Sequence, residues 1–246
     1  MMTATLSVLA AGSLKRALLP LTASFAQTTG LTVDIDFGPA GLLRERIEAG
    51  ERCSLFASAN TAHPQALLRQ GKALSAQTFA FNRLNLTARR LADAPPRDWL
   101  ALLADPALRL ATSTPGSDPS GDYTWQLFDN IEARHPGLGA ALKHRALPLV
   151  GGRDTLTVPA AEVASAWIIR SGRAELFIGY AHYSRALAGA DDLQILSIPA
   201  PYNPLCEYQM ALLDDNEPTR RLAQYIVSAA GQSVLRQMGF LTLEAE

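Results

Sequence analysis

Short strand-like stretches alternate with amphipathic stretches from the beginning of the chain. The strand-like stretches are residues 5–10, 31–37 and 54–59. Each is followed by apolar residues at helical spacing, in residues 14–28, 42–49 and 63–70. Glycines end these segments at Gly30, Gly50 and Gly71. Strands and helices that alternate at this spacing predict a mainly parallel sheet flanked by helices.

The pattern begins afresh in the second third of the chain. Residues 81–88 are predicted to form one crossover strand, followed by a break at Ala94, Pro95 and Pro96. The further predicted helices are residues 99–103, 123–133, 160–171, 218–228 and 231–238, and the further strands are residues 108–113 and 175–180. The proline-rich residues 198–204 favour an extended connection back to the first domain. The sequence therefore predicts two α/β domains, residues 1–85 with 200–246, and residues 86–199.

Composition narrows the class of protein. With 48% hydrophobic residues, 246 residues can bury substantial cores, and a net charge of −1 from mixed charges provides no basic face for nucleic acid. Cys53 and Cys206 are far apart, which leaves buried thiols and a disulfide both open. The apolar residues 6–11 are too few to span a membrane, and no export signal is visible. We expect either that a signal has been removed or that the protein is cytoplasmic.

Small polar loops occur at three places where a predicted strand ends and a helix begins. They are Gly12-Ser13, residues 38–41 and residues 118–121. Ligands of open α/β sheets bind at this edge, and helix N-termini present unpaired N–H groups to an anion. Ordinary turns and helix caps use the same residue types. Both interpretations remain open from the residues alone.

Five segments resemble the molybdate-binding periplasmic receptor family, in the same order. They are residues 8–14 (VLAAGSL), 37–50 (FGPAGLLRERIEAG), 55–60 (LFASAN), 172–180 (GRAELFIGY) and 231–240 (GQSVLRQMGF). The resemblance implies the type II periplasmic binding protein fold, with two α/β lobes and a ligand cleft that closes by hinge motion. It also implies a monomeric receptor for molybdate or tungstate that delivers its ligand to an ABC transporter permease, without a cofactor and without catalysis.

The same resemblance suggests which residues bind the ligand. Ser13 resembles the first-loop serine, whose hydroxyl and N–H bind an oxyanion oxygen. Ala40 stands where the family usually has a second serine, which leaves backbone N–H groups there and at Gly41. Ser120 resembles a backbone donor of the second lobe, and Tyr180 resembles a tyrosine whose phenol reaches the ligand.

Two acidic residues complicate this assignment. Asp118 and Glu162 resemble positions at which a related group of tungstate and molybdate binders has carboxylates that ligate the metal centre. A carboxylate that faces an oxyanion repels it unless it coordinates the metal or is protonated. Alternatively, Asp118 caps the Ser-Gly turn and Glu162 is an exposed acid in the first turn of a helix.

Other functions have less support in the sequence. The same fold could bind sulfate, phosphate or a metal complex, or could serve as a cytoplasmic anion sensor. An enzyme would need a base and a nucleophile in reach of each other, and no motif supplies such a pair. The histidines, His63, His135, His144 and His182, are too scattered to predict a zinc site, although His182 follows Tyr180 closely.

Overall fold

The structure of the protein is a computed structural model that describes residues 5–90 and 95–243. The strands are β1 (Thr5–Ala11), β2 (Thr32–Gly38), β3 (Leu55–Ser58), β4 (Ser75–Asn82), β5 (Leu84–Arg89), β6 (Leu110–Ser113), β7 (Leu147–Val150), β8 (Leu176–Tyr180), β9 (Leu193–Ser197), β10 (Cys206–Leu212) and β11 (Leu241–Thr242). The helices are α1 (Lys15–Thr29), α2 (Ala40–Glu48), α3 (Ala62–Arg69), α4 (Trp99–Ala104), α5 (Pro119–Glu132), α6 (Leu138–Arg145), α7 (Ala164–Arg170), α8 (Glu217–Val227) and α9 (Ala229–Gln237). Two 3-10 segments, Gly12–Leu14 and Ala181–Leu187, follow β1 and β8.

The chain forms two compact units, each with its own sheet. Unit 1 comprises Met1–Asn82 and Cys206–Glu246, and unit 2 comprises Arg83–Leu205. The predicted boundaries at 85/86 and 199/200 are displaced because Leu84 already pairs with Tyr180 of unit 2. The side chain of Asn203 also bonds to the backbone of Leu84, which keeps residues beyond 199 in unit 2.

Unit 1 contains a six-stranded mixed sheet in the order β11-β4-β10-β3-β1-β2. β1 runs parallel to β2 and β3, whereas β10 runs antiparallel to β3 and β4. The amphipathic pattern of α1 buries Leu18, Leu21 and Phe25, which are spaced to lie on one helical face. α1 packs against α8 and α9, and α2 packs against α3.

Unit 2 contains a five-stranded sheet in the order β7-β6-β8-β5-β9. β6 runs parallel to β7 and β8, and β5 runs antiparallel to β8 and β9. A buried apolar cluster joins Ile168 and Ile169 of α7 to Phe177 of β8 and Leu193 of β9. The two sheets with their flanking helices confirm the predicted α/β class.

Several local predictions are wrong in detail. The single strand predicted for residues 81–88 is two strands, β4 and β5, that belong to different sheets. α5 begins at Pro119, four residues before the predicted start, because Asp118 caps it, whereas α7 begins only at Ala164. α6 and β7 were not predicted. The predicted break begins at Ala94, which lies outside the described residues.

Both cysteines are buried thiols that are not joined in a disulfide, so the thiol interpretation is confirmed over the disulfide. No helix in the part of the chain that the structure describes is long and apolar enough to cross a membrane.

Candidate functional site

Three parallel strands of unit 1 end at the same edge of the sheet. β1 pairs with β2 in a register that places Ala11 beside Gly38, and it pairs with β3 on its other side. A helix begins within a few residues of each strand end: the 3-10 segment with α1, then α2, then α3. The first N–H groups of a helix have no acceptor inside the helix, and the helix dipole is positive there. This edge, which we call the unit 1 edge, therefore favours an anion.

Ser13 lies at the unit 1 edge in the 3-10 segment after β1. Its side chain is partly exposed, while the next residue, Leu14, is fully buried and anchors the turn. The Ser13 Oγ lies 3.1 Å from the Oη of Tyr208. Tyr208 reaches this edge because β10 runs antiparallel to β3, with Gln209 opposite Ser58. The serine hydroxyl is thus held by a buried tyrosine from a distant part of the sequence.

Ala40 and Gly41 form the beginning of α2 at the same edge. Both residues are buried, and the carbonyl of Pro39 accepts the N–H of Leu43 at 3.0 Å as the helix starts. The N–H groups of the first turn precede this bond and have no acceptor within the helix. Since Ala40 carries only a methyl group, this corner can bind a ligand through backbone N–H groups alone.

Sequence reasoning missed Ser58 and Asn60, which lie at the end of β3. The Ser58 hydroxyl donates to the Asn60 Oδ1 at 3.1 Å, and the His63 N–H donates to the same oxygen at 3.2 Å. The Oδ1 therefore caps the first turn of α3. None of the described residues accepts a hydrogen bond from the NH₂ group of Asn60, although the residue is only 7% exposed. An asparagine before a predicted helix is a capping signal that could have identified it.

Asp118 and Ser120 lie where β6 ends in unit 2. Asp118 is the N-cap of α5, and its carboxylate accepts the N–H of Ser120 at 3.2 Å. The capping interpretation of Asp118 is therefore confirmed. Ser120 is buried in the first turn of α5, where its N–H is already occupied by this cap. A ligand that uses this N–H has to compete with Asp118 for it.

The surroundings of Asp118 disfavour its charge. Its carboxyl group packs against Gly151, where an added Cβ would lie 2.5 Å from the carboxylate oxygen. Burial raises the pKa of Asp118 to about 6, although the bonds from Ser120 and Ser113 favour the charged form. The neighbouring Asp122 adds to the increase. At neutral pH the group is mostly ionised, and it becomes neutral in mildly acidic solution.

Tyr180 ends β8 at the same side of the unit 2 sheet, because β8 runs parallel to β6. The tyrosine is 4% exposed. Its ring lies 6.0 Å from that of His182, which in turn packs at 4.0 Å on Tyr183. These rings form an aromatic group at the end of β8 with His182 buried inside it.

Glu162 is not part of a helix. It lies in a turn two residues before α7, its side chain is exposed, and its N–H donates to the carbonyl of Pro159 at 2.9 Å. The helix has Val163 as its N-cap and no acid in its first turn. The prediction that Glu162 is a first-turn acid of the helix is therefore wrong.

Among the described residues, no group of three or more histidine, cysteine or acidic side chains could hold a metal ion. His135 instead bonds to the Oη of Tyr202 at 2.9 Å. His63 accepts a hydrogen bond from Arg44.

Comparison with known proteins gives the same fold and a family. The sequence model of the family described as bacterial extracellular solute-binding protein matches residues 6–241. An uncharacterized protein of Pasteurella multocida (strain Pm70) is 42% identical over 235 residues, which are 95% of this chain and 97% of that protein.

Two solved structures share the architecture at low sequence identity. The periplasmic molybdate-binding protein of Azotobacter vinelandii has a TM-score of 0.73 and 22% identity, covering 97% of this chain and 100% of that one. The sulfate-binding protein SubI of Mycobacterium tuberculosis H37Rv has a TM-score of 0.76 and 15% identity, covering 98% of this chain and 88% of that one. At these identities the likeness concerns the fold alone.

Proposed function

Since this chain belongs to the bacterial extracellular solute-binding protein family, we propose that it is the molybdate or tungstate receptor of an ABC-type uptake system. The observation that carries the proposal is the set of donors at the unit 1 edge. It comprises the Ser13 hydroxyl, the first N–H groups of α2 at Ala40 and Gly41, and the NH₂ group of Asn60. The fold is shared with a molybdate-binding protein and with a sulfate-binding protein, so the choice between these anions depends on the donors and on the binding experiment below.

These donors suit a dianion that carries no proton. They are neutral, so they stabilise negative charge through fixed dipoles and do not compete for a proton as a base would. Converging helix N-termini add to the same electrostatic field. In this proposal the protein binds its ligand without a chemical reaction, and it works outside the cytoplasm with a membrane permease as its partner.

We propose the Ser120 hydroxyl and the Tyr180 phenol as the donors of unit 2, since the Ser120 N–H is occupied by Asp118. Asp118 already accepts bonds from Ser120 and Ser113, so we propose that it caps α5 and does not ligate the metal centre. Glu162 is exposed and its N–H is bonded within its turn, so we propose that it contributes nothing to binding. A Glu162→Gln variant should then keep the affinity of the parent protein.

Sulfate is the second candidate ligand, and Ala40 is the observation that favours it. The family that the sequence resembles usually has a serine at this position. Alanine therefore leaves the unit 1 edge with one hydroxyl donor fewer. A site with fewer hydroxyl donors can select a different oxyanion of the same charge and tetrahedral shape.

A thermal-shift series with molybdate, tungstate, sulfate and phosphate tests the proposal. A ligand present at a hundred times its Kd should add about 2.7 kcal/mol to the free energy of unfolding. We expect molybdate and tungstate to raise the Tm most, and we expect a Ser13→Ala variant to lose most of that increase. If sulfate raises the Tm more than molybdate, the second candidate replaces the first. If none of the four anions raises it, the chain is not an oxyanion receptor.

A further inference from the structure

We infer that Tyr208 is a positioning residue that orients the Ser13 hydroxyl, and that this pair selects ligands whose oxygens carry no proton. The inference rests on the proposed function, because it assigns Ser13 as a ligand donor. Its direct observation is the 3.1 Å separation between the Ser13 Oγ and the Tyr208 Oη.

Tyr208 is held rigidly inside unit 1. The residue is 0% exposed, and its ring makes edge contacts with Phe79 at 6.3 Å and with Phe240 at 5.3 Å. Such edge-to-face contacts fix the plane of the ring as well as its position. The hydroxyl at the end of the ring therefore has a fixed location next to Ser13.

An irregularity in the sheet also sets the position of this ring. The pairing of β10 with β4 shifts register between Tyr208, which lies opposite Ala80, and Gln209, which lies opposite Thr78. The extra residue on β4 is Phe79, one of the two rings that contact Tyr208. Bulges of this kind change the direction in which a side chain points.

The number of protons decides which hydroxyl donates. A serine hydroxyl has one proton to give and two lone pairs with which to accept. A fully deprotonated oxyanion can only accept, so Ser13 has to give its proton to the ligand. The hydrogen bond with Tyr208 must then run from the tyrosine to the serine.

This direction has two consequences for binding. A hydroxyl that accepts one hydrogen bond becomes a stronger donor in the next one, so Tyr208 strengthens the contact between Ser13 and the anion. It also fixes the serine proton towards the ligand before binding. A ligand that presents an O–H group to Ser13 does not use this strengthened donor.

The chain contains a matched control for the Tyr208→Phe substitution. The Ser24 Oγ on α1 lies 2.8 Å from the Tyr225 Oη on α8, which is a second serine–tyrosine pair in the same unit. Tyr225→Phe removes the same kind of hydrogen bond at a place that the proposed site does not use.

Isothermal titration with molybdate compares the parent, Tyr208→Phe, Ser13→Ala, the double variant and Tyr225→Phe. We expect Tyr208→Phe to weaken binding about fivefold, which corresponds to roughly 1 kcal/mol for one hydrogen bond. The same change in the Ser13→Ala background should have no effect on affinity, since the serine hydroxyl through which Tyr208 acts on the ligand is gone. Tyr225→Phe should bind as the parent does, even if its Tm is lower.

The possible results distinguish failure of the positioning role of Tyr208 from failure of the proposed receptor function. If the parent and Tyr208→Phe bind equally while Ser13→Ala is weakened, Tyr208 does not position the serine, and the proposed function survives. If Tyr208→Phe weakens binding equally in both backgrounds, its effect does not pass through Ser13 and the inference is overturned. If the parent binds no oxyanion, the proposed function fails and the inference about ligand selection fails with it.

A readout without ligand completes the test. Crystal structures should show one Ser13 rotamer in the parent and more than one in Tyr208→Phe. A single unchanged rotamer in the variant contradicts the positioning role.

Discussion

Arg44 donates a hydrogen bond from its Nη1 to the Nδ1 of His63, across 3.2 Å between α2 and α3. Arginine can only donate, so the Nδ1 accepts and the proton of the neutral imidazole is on the Nε2. The Nε2 is buried and has no acceptor among the described residues. This arrangement, beside the unit 1 edge, disfavours a charged imidazole.

Acid should therefore destabilise the protein through His63. Burial, followed by the charge of Arg44, lowers the pKa of His63 from 6.5 to about 4, against an opposing contribution from Glu48. As the pH falls, the unfolded chain binds the proton before the folded protein does. The stability that neutral His63 contributes is therefore fully present above pH 6.5 and is lost as the pH falls to about 4. At 1.36 kcal/mol for each pH unit between the two pKa values, the loss is about 3 kcal/mol.

Chemical denaturation at several pH values measures this loss. His63→Asn retains an acceptor for Arg44 and does not titrate, so the difference in unfolding free energy between parent and variant should follow the predicted curve. A difference that stays constant between pH 7 and pH 4.5 contradicts the prediction.

Asp118 should have the opposite dependence on pH. Burial raises its pKa from 3.8 to about 6, so the folded protein holds this proton more tightly than the unfolded chain does. The stability that the protonated Asp118 contributes is fully present below pH 3.8 and is lost as the pH rises through 6. Asp118→Asn keeps an oxygen for the Ser120 N–H and should be more stable than the parent at pH 8, by about 3 kcal/mol.

Denaturant titrations of parent and variant at pH 4 and pH 8 measure the effect. Asp98→Asn, the same exchange at the exposed N-cap of α4, is the control for removing a cap charge. The prediction fails if Asp118→Asn is no more stable than the parent at pH 8.

Asn60→Asp should weaken ligand binding without unfolding α3. The aspartate keeps an oxygen for the N–H of His63 and the hydroxyl of Ser58, but it replaces the NH₂ donor with a negative charge. Losing a hydrogen bond to a charged ligand costs about 1.5 to 3 kcal/mol, so affinity for molybdate should fall by at least about tenfold.

Calorimetric titration measures this affinity, and the unliganded Tm checks the fold. Asn216→Asp makes the same exchange at the N-cap of α8, whose side-chain oxygen accepts the N–H of Thr219, and should bind as the parent does. If the parent, Asn60→Asp and Asn216→Asp bind molybdate with equal affinity, Asn60 is not a ligand donor.

Asn203→Ala should be strongly destabilising. The side chain of Asn203 bonds to both the N–H and the carbonyl of Leu84, at 2.9 and 2.7 Å, and is 6% exposed. Truncation leaves these buried backbone groups without partners, at a cost of about 3 kcal/mol. Asn130→Ala, which removes a single half-buried bond to the Tyr202 carbonyl, should cost about 1 kcal/mol. Unfolding in urea measures both, and equal costs would contradict the prediction.

Local patterns predicted most of the first 80 residues. The apolar periods and the glycine stops lie within about two residues of β1, α1, β2, α2, β3 and α3, because each pattern reflects burial of one face of one element. The same reasoning failed at residues 81–88. Those residues are predicted to form one crossover strand, but Arg83 separates two strands that join different sheets.

Local sequence patterns were enough to assign the α/β class, the strand-to-helix corners and the place of Ser13 at one of them, because capping and periodicity act over a few residues. Only the tertiary structure joined Ser13 to Tyr208, which are 195 positions apart, and Asn203 to Leu84, which are 119 apart. No local signal encodes such pairs, since they depend on which strands become neighbours when distant apolar surfaces are buried together.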